Sequence, residues 1–123
     1  MVYYMLPLSI LIVIREYHER DDHIPFREWF DRLNAEAARK VTTALYRVGL
    51  GNFSKIKSVG AGVFECKIHF GPGYRVYFGK EGERIVILLG GGTKQRQQND
   101  IKLALDRWED YQRKKKQQKE EKD

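Results

Sequence analysis

Residues 63–79 read VFECKIHFGPGYRVYFG, which is two short stretches of alternating apolar and polar side chains around a Gly-Pro-Gly sequence. A period of two is typical of strands that bury one face, and Gly and Pro together mark a turn. The sequence therefore predicts a β-hairpin, with strands over residues 63–70 and 74–79 and a loop over residues 71–73.

The two faces of this hairpin differ in character. With a three-residue loop, His69 lies opposite Arg75 and Lys67 lies opposite Tyr77, and opposed side chains point to the same side of a sheet. One face is apolar and is predicted to join the core: Phe70, Tyr74, Ile68, Val76, Cys66 and Phe78. The other face carries polar and titratable groups: His69, Arg75, Lys67, Tyr77 and Glu65.

Further along the chain, residues 84–89 read RIVILL and are continuously apolar after Arg84, which is typical of a central strand buried on both faces. The three glycines of residues 90–92 are predicted to break that strand, and Thr93 to cap a last helix. An apolar stripe at helical spacing supports this helix: Ile101, Ala104, Leu105 and Trp108. Residues 113–123 are charged, and we expect them to form a frayed tail.

A strand and two helices are predicted before the hairpin. The apolar run over residues 1–14 predicts a buried strand, which we place at residues 8–17. Pro25 suits the start of a helix, whose apolar positions recur at helical spacing: Phe26, Trp29, Phe30, Leu33 and Ala37. A second helix is predicted over residues 35–48, ended by glycines. The two form either an antiparallel hairpin or one helix bent near Asn34.

This order of elements predicts a single α+β domain over residues 1–123. It consists of an N-terminal strand, a two-helix hairpin, a three-stranded antiparallel meander that completes a small sheet, and a C-terminal helix. The opening apolar run is shorter than the about 20 residues of a membrane span, and it lacks the features of a signal peptide, so no membrane contact is expected. Met5 is an alternative start. The single cysteine, Cys66, excludes an internal disulfide framework and favours the cytoplasm.

Charge is unevenly distributed along the chain. The formal net charge is +6, from 23 Lys and Arg against 17 Asp and Glu. Residues 37–80 carry eight basic side chains and one acidic side chain, Glu65, which gives this block a net charge of +7. A basic block of this kind is either a solvated surface or a binding surface for phosphates, because clustered Lys and Arg supply most of the affinity for nucleic acids.

The polar face of the hairpin suits the cleavage of RNA. Such cleavage needs a base for the 2′-hydroxyl, cations for the charged phosphorane and an acid for the leaving oxygen. His69 is a candidate for proton transfer and Arg75 for a bidentate contact with phosphate oxygens. Glu65 or Tyr77 could complete the set, or Tyr77 could stack a base. The alternatives are an ordinary exposed polar face, and a simple ion pair between Arg75 and Glu65 or a helix carboxylate.

Other kinds of site are not predicted. The three histidines, His18, His23 and His69, have no metal-ligand spacing, so we expect no metal and no cofactor. Cys66 lies on the apolar face, as expected of a core residue rather than a nucleophile. Residues 90–94, GGGTK, lack the GxxxxGK[ST] spacing of a nucleoside triphosphate loop.

Three stretches together resemble the RelE/ParE toxin superfamily, most closely its HigB-like branch of addiction module killer proteins. They are FREWFD at residues 26–31, GYRVYF at residues 73–78 and LLGGGTKQRQQNDI at residues 88–101. The resemblance covers about residues 10–112. It implies the RelE-like fold and a toxin of a type II toxin–antitoxin module. The expected partners are a cognate antitoxin of the helix-turn-helix class, the ribosome and messenger RNA.

The resemblance also implies roles for individual residues. Its central-strand arginine matches Arg75, its preceding basic positions match Lys67 and His69, and its basic position after the last strand matches Lys94 or Arg96. Arg75, Lys67, His69 and Lys94 are therefore the expected catalytic residues of a metal-independent ribonuclease. The residues expected to contact RNA are Lys55, Lys57, Tyr77 and Arg96. Some relatives also use a Tyr or His near the C-terminus. No such residue stands next to Ile101 in this chain, so the resemblance does not assign the general acid.

The same resemblance leaves two other functions open. Members on the ParE side of the superfamily poison DNA gyrase without cleaving RNA, and a fold alone does not separate these activities. A basic module that binds RNA without activity is the third possibility. The clustered basic residues and Arg75 favour the nuclease.

Overall fold

The computed structural model describes residues 11–122. The strands are β1 (Val13–Glu16), β2 (Ile56–Gly60), β3 (Val63–Ile68), β4 (Tyr74–Glu81) and β5 (Ile85–Thr93). The helices are α1 (Pro25–Asp31), α2 (Ala35–Gly49) and α3 (Gln97–Lys122), and a 3-10 turn at Lys94–Arg96 precedes α3. The predicted α+β class and the order of the elements are confirmed, with β2 as an additional strand. The expectations for residues 1–10, including the start of the first strand and Met5, lie outside the described residues.

The five strands of residues 11–122 form one sheet in the order β1-β5-β4-β3-β2. Strands β2 to β5 pair antiparallel, and β1 pairs parallel to β5. The apolar strand β5 is flanked on both sides, so its predicted central position is confirmed. The prediction of a buried first strand is wrong for the described part, because β1 lies at the sheet edge and Val13 is 46% exposed.

Helices cover both faces of the sheet. On one face, side chains of α1 and α2 pack on the sheet in a cluster that includes Phe26, Val41, Cys66, Val76 and Phe78. On the other face, α3 contributes the predicted stripe around Ala104 and Trp108 to a second cluster. The apolar face of the β3–β4 hairpin is thus confirmed as core, while its polar face lies on the side of α3.

The glycines of β5 do not break the strand, contrary to the prediction. A Cβ atom at Gly91 would lie 2.3 Å from the Trp29 ring, and one at Gly92 would lie 1.9 Å from the Asp100 carboxylate. A bulge opposite Tyr77 accommodates the extra residue near Gly90, whose φ is +156°. Helical side chains pack directly against the backbone of β5 from both faces, which leaves no room for a Cβ atom at Gly91 or Gly92. These glycines therefore serve close packing within the strand and do not end it.

The helix boundaries resolve the alternative that the sequence left open. The chain leaves the helical path between Arg32 and Asn34, so α1 and α2 are separate helices. The Asn34 side chain caps α2 by accepting a hydrogen bond from the Ala37 N–H at 2.9 Å. At the other end of the chain, α3 continues to Lys122, through the segment expected to fray. Thr93 precedes the 3-10 turn, but its side chain makes no capping hydrogen bond among the described residues.

Candidate functional site

The register of the central hairpin differs from the prediction by two residues. Lys67 lies opposite Arg75 and Ile68 opposite Tyr74, because the loop spans residues 69–73 rather than 71–73. His69 therefore lies in the loop beyond β3 and does not face Arg75. The predicted division into an apolar and a polar face holds nevertheless, because a shift of two residues preserves the side to which each strand residue points.

The polar face of the hairpin is largely buried, contrary to the prediction of an exposed face. Helix α3 covers it, and Glu65, Arg75 and Tyr77 are 2%, 3% and 1% exposed. The Arg75 Nε lies 3.6 Å from Oε1 of Glu65, which is the ion pair that the sequence left as an alternative. Charged groups that are this deeply buried require such pairing, because an isolated charge in the interior is strongly unfavourable.

Two further contacts hold the Arg75–Glu65 pair in place. The Gln97 amide at the start of α3 donates to Oε2 of Glu65 at 2.8 Å. The carbonyl of Gly73 accepts from Nη1 of Arg75 at 3.3 Å and from the N–H of Lys94 at 2.8 Å. Gly73 has φ +80°, which favours glycine at this position. The pair is therefore tied both to the turn and to the segment that follows β5.

Tyr77 is not available to stack on a nucleobase, so this predicted role is wrong. Its ring packs under α3 in the cluster that contains Trp108 and Leu89. Burial raises the pKa of its phenol, and the nearby Glu65 and Asp100 carboxylates add to the effect. We therefore assign Tyr77 to the core.

The four predicted catalytic residues line one open groove of about 430 Å³ beside the hairpin loop. We call it the turn groove, and its lining is Lys67, His69, Phe70, Gly71, Pro72, Gly73, Arg75 and Lys94. Lys67, His69 and Lys94 are exposed, and Arg75 contributes from the buried side. The fold thus brings cationic side chains from β3, β4 and the turn after β5 to a single concave surface.

A second groove of about 440 Å³ adjoins the turn groove on the side of β2. It shares Lys67, His69 and Arg75 with the turn groove and adds Lys55 and Lys57, two of the residues expected to contact RNA. Sequence reasoning missed the strand that presents Lys57 and also missed Ser54 and Gln97, which line this groove. Gln97 belongs to the stretch over residues 88–101 that carries the family resemblance. Its position at the predicted start of the last helix, close to the end of β5, could have indicated that it lies near the site.

Arg96 lies apart from the other predicted site residues. It lines a different groove, formed with Trp29, Asp100 and Arg107 among others. Burial raises the pKa of Asp100, and the Arg96 and Arg107 guanidinium groups oppose that shift. Arg96 is therefore not placed with Arg75 in the turn groove.

The side chains of the turn groove can bind an anion, and one of them, His69, carries an imidazole. Lysine and arginine side chains attract phosphate oxygens, and an imidazole can exchange protons near neutral pH. Among the described residues that line the two grooves, Glu65 is the only carboxylate, and Arg75 and Gln97 hold it. Cys66 lies on the opposite face in the core, as predicted, and burial raises the pKa of its thiol to about 11.

Residues 11–122 contain no cluster of three or more His, Cys, Asp or Glu side chains with the geometry to bind a metal ion. Nor does this part of the chain contain a helix with the length and apolar character needed to cross a bilayer.

The chain matches known proteins at the level of a family and of an individual relative. A family model described as "Phage derived protein Gp49-like (DUF891)" matches residues 28–109, which contain all the sequence-predicted site residues. The chain is also 44% identical over 82 residues to an uncharacterized protein of Haemophilus influenzae. That alignment covers 66% of this chain and 83% of the relative.

Proposed function

The chain belongs to the Gp49-like family of phage-derived proteins, a RelE-like toxin family of addiction modules, and on that premise we propose that it is a toxin that cleaves messenger RNA. The proposed substrate is mRNA on the ribosome in the cytoplasm. A cognate antitoxin, for which we propose a helix-turn-helix protein as in the HigB-like branch, neutralises the toxin.

The observation that carries this proposal is the convergence of Lys67, His69, Arg75 and Lys94 on the turn groove. Cleavage proceeds by attack of a 2′-oxygen on the adjacent phosphorus, which forms a 2′,3′-cyclic phosphate and breaks the bond to the leaving 5′-oxygen. A base takes the proton of the 2′-hydroxyl, an acid gives a proton to the leaving oxygen, and cations stabilise the charged phosphorane between these events. Three cations and one imidazole at a single concave surface supply both kinds of group. Neither role requires a metal ion.

The four residues divide proton transfer and charge stabilisation between them. His69, exposed in the loop, exchanges a proton with the attacking or the leaving oxygen. Lys67 and Lys94, on opposite sides of the groove, neutralise the phosphate oxygens. Arg75 contributes positive charge from the buried side, where Glu65 fixes the position of its guanidinium.

The direct test is expression of the protein in a translating extract, followed by mapping of mRNA 5′ ends. We expect cuts phased with codons from the wild-type protein, and strongly reduced cutting from Lys67→Ala and Lys94→Ala. The matched control is Lys102→Ala, an exposed lysine of α3 that lines neither groove. Intact mRNA with breaks in DNA would instead indicate a gyrase poison. Binding of RNA without cuts would indicate an inactive RNA-binding module.

A further inference from the structure

A third groove, of about 390 Å³, lies between α2 and the strands β2 and β3, and we call it the α2 groove. It shares Lys55, Lys67 and His69 with the groove beside β2, which in turn opens to the turn groove. The shared residues lie where β2 begins and β3 ends, so the three grooves adjoin around this end of the sheet, with the α2 groove on the face that α2 covers. The proposed cleavage reaction uses only the turn groove.

The α2 groove combines two kinds of surface. Its floor is apolar and belongs to the core: Val48, Cys66 and Ile68 are 2%, 2% and 7% exposed. Its rim is cationic, with Lys40 and Arg47 on one side and Lys55 on the other, and all three are exposed. None of the described residues that line it is acidic.

The sequence of α2 produces this rim by its spacing. Lys40, Thr43 and Arg47 recur at intervals of three and four, which places them on one face of a helix. That face borders the buried positions Val41 and Val48. The Lys40 ammonium also lies 5.6 Å from the centre of the Phe70 ring, a residue of the turn groove, so α2 and the turn groove are in direct contact.

We propose that the α2 groove is a nucleotide subsite for single-stranded RNA, next to the scissile phosphate. An apolar floor under a cationic rim matches a ligand with a flat base and an anionic phosphate. A groove of this size lies within the range of about 300–1,000 Å³ that is typical of small-molecule sites. The occupant is single-stranded because only an unstacked base can turn into such a pocket. This inference rests on the proposed function, since it names where the substrate continues beyond the cleavage groove.

Binding can be separated from cleavage with a probe that cannot be cut. A fluorescent six-nucleotide RNA with 2′-fluoro groups lacks the attacking hydroxyl, and anisotropy reports its binding to the full chain. We expect the double variant Lys40→Gln/Arg47→Gln to bind it about tenfold more weakly and with a log–log salt slope smaller by about 1.4. The matched control Lys102→Gln/Lys119→Gln removes two exposed cations of α3 and should bind like the wild type. Thermal unfolding of both variants verifies that they are folded.

An abasic version of the probe tests the apolar floor. We expect the wild type to bind it several-fold more weakly than the probe with bases. Equal affinity for the two probes would overturn the base-binding part of the proposal. Tighter binding of an oligoglutamate peptide than of the RNA, lost in the double variant, would also overturn it and would identify an acidic protein segment as the occupant.

Cleavage of unmodified mRNA, measured in parallel, distinguishes this inference from the proposed function. If the Lys40/Arg47 variant binds the probe like its control while the wild type cleaves mRNA, the subsite is wrong and the nuclease stands. If the variant loses probe binding while the wild type leaves mRNA intact, the α2 groove binds RNA but the nuclease is wrong.

Discussion

Arg75 and Glu65 form a diagonal ion pair across strands β4 and β3, with Nε 3.6 Å from Oε1 and both side chains at most 3% exposed. The residue directly opposite Arg75 is Lys67, a second cation. Like charges at opposed positions of a sheet are unfavourable unless an anion lies between or beside them. Glu65 compensates one of the two charges, so the hairpin retains an excess of positive charge at the groove. This arrangement favours an anionic ligand.

Removal of one partner of the buried pair should destabilise the fold. For Arg75→Ala we expect a loss of about 3–5 kcal/mol in the free energy of unfolding, because the Glu65 charge is left buried without its partner. The hydrogen bond to Gly73 is lost as well. Urea unfolding measures the effect, and the double variant Glu65→Gln/Arg75→Gln should recover part of it. A change of less than about 0.5 kcal/mol in Arg75→Ala would show that the pair is not structural.

The stability of Arg75→Ala determines how a loss of cleavage in this variant is interpreted. On an exposed polar face, replacement of Arg75 would change the free energy of unfolding by no more than about 0.5 kcal/mol. Arg75 is buried, so this expectation does not apply. Loss of cleavage in Arg75→Ala therefore supports a contribution to the reaction only if the protein remains folded at the assay temperature. Lys67 and Lys94, which are exposed, give the cleaner comparison.

Gly79 leaves space that the Trp108 ring fills. A Cβ atom at Gly79 would lie 2.2 Å from this ring, and Trp108 is 5% exposed. Gly79→Ala should therefore destabilise the protein by about 1–3 kcal/mol through overpacking. The control is Gly49→Ala at the end of α2, where the nearest atom, Cδ1 of Ile14, is 3.7 Å away, so stability should not fall. Equal stability of the two variants would mean that Trp108 can move aside.

Asp110 makes the fold sensitive to acid. Its carboxylate accepts hydrogen bonds from Lys114, Tyr17 and Arg113, and these contacts, the Lys114 bond foremost, lower its pKa from 3.8 to about 2. A pKa that is lower in the folded state contributes stability above the unfolded-state value and loses it as the pH falls toward the folded-state value. We therefore expect the contribution of Asp110 to be complete above about pH 4 and to decline between about pH 4 and about pH 2.

The measurement is urea unfolding of the wild type and Asp110→Asn across this range. The difference in unfolding free energy between them should shrink as the pH decreases. Asp106→Asn, an exposed position on the same helix, serves as the control. A difference that stays constant with pH would exclude Asp110 as a source of the acid sensitivity.

The alternating pattern of the hairpin predicts its two faces correctly because a period of two depends only on local sequence. The register is not local, since it depends on where the loop closes, and Gly73 donates its N–H to the Phe70 carbonyl within a five-residue loop. Strand β2 was missed because its side chains are mostly exposed and only Ile56 and Val59 are partly buried. A strand with so few apolar residues shows little periodicity.

Burial of the site's polar residues is the other part that the sequence does not reveal. Arg75 and Tyr77 look exposed in the hairpin pattern because the helix that covers them, α3, starts about twenty residues later in the chain. The mistaken prediction that residues 90–92 break the strand has the same cause. Three glycines in a row are typical of a chain break, and only the contacts with Trp29 and Asp100 explain why glycine is needed within this strand. Both errors arise from contacts between distant segments, which no local pattern contains.

The basic surface predicts a steep dependence of RNA binding on salt. Residues 37–80 carry a net charge of +7, and their exposed cations Lys55, Lys57 and Lys67 line connected grooves. Each phosphate that they neutralise on a single strand should contribute about −0.7 to the log–log slope of affinity against salt. Titrations at several salt concentrations with the wild type and Lys67→Gln measure this slope. The Lys67 variant should have a slope smaller by about 0.7, and a flat dependence for the wild type would contradict electrostatic binding.

His69 offers the sharpest separation of chemistry from stability. It is exposed in the loop after β3, no hydrogen bond to its side chain is found among the described residues, and it lines the turn groove beside Lys67 and Arg75. His69→Ala should therefore change the free energy of unfolding by no more than about 0.5 kcal/mol. If His69 transfers a proton in the reaction, the same variant should cleave RNA about 10²–10⁴-fold more slowly, and added imidazole should restore part of the rate. His18→Ala, another exposed histidine outside the grooves, is the matched control and should cleave like the wild type. Full cleavage by a stable His69→Ala protein would remove His69 from the mechanism and leave proton transfer to another group.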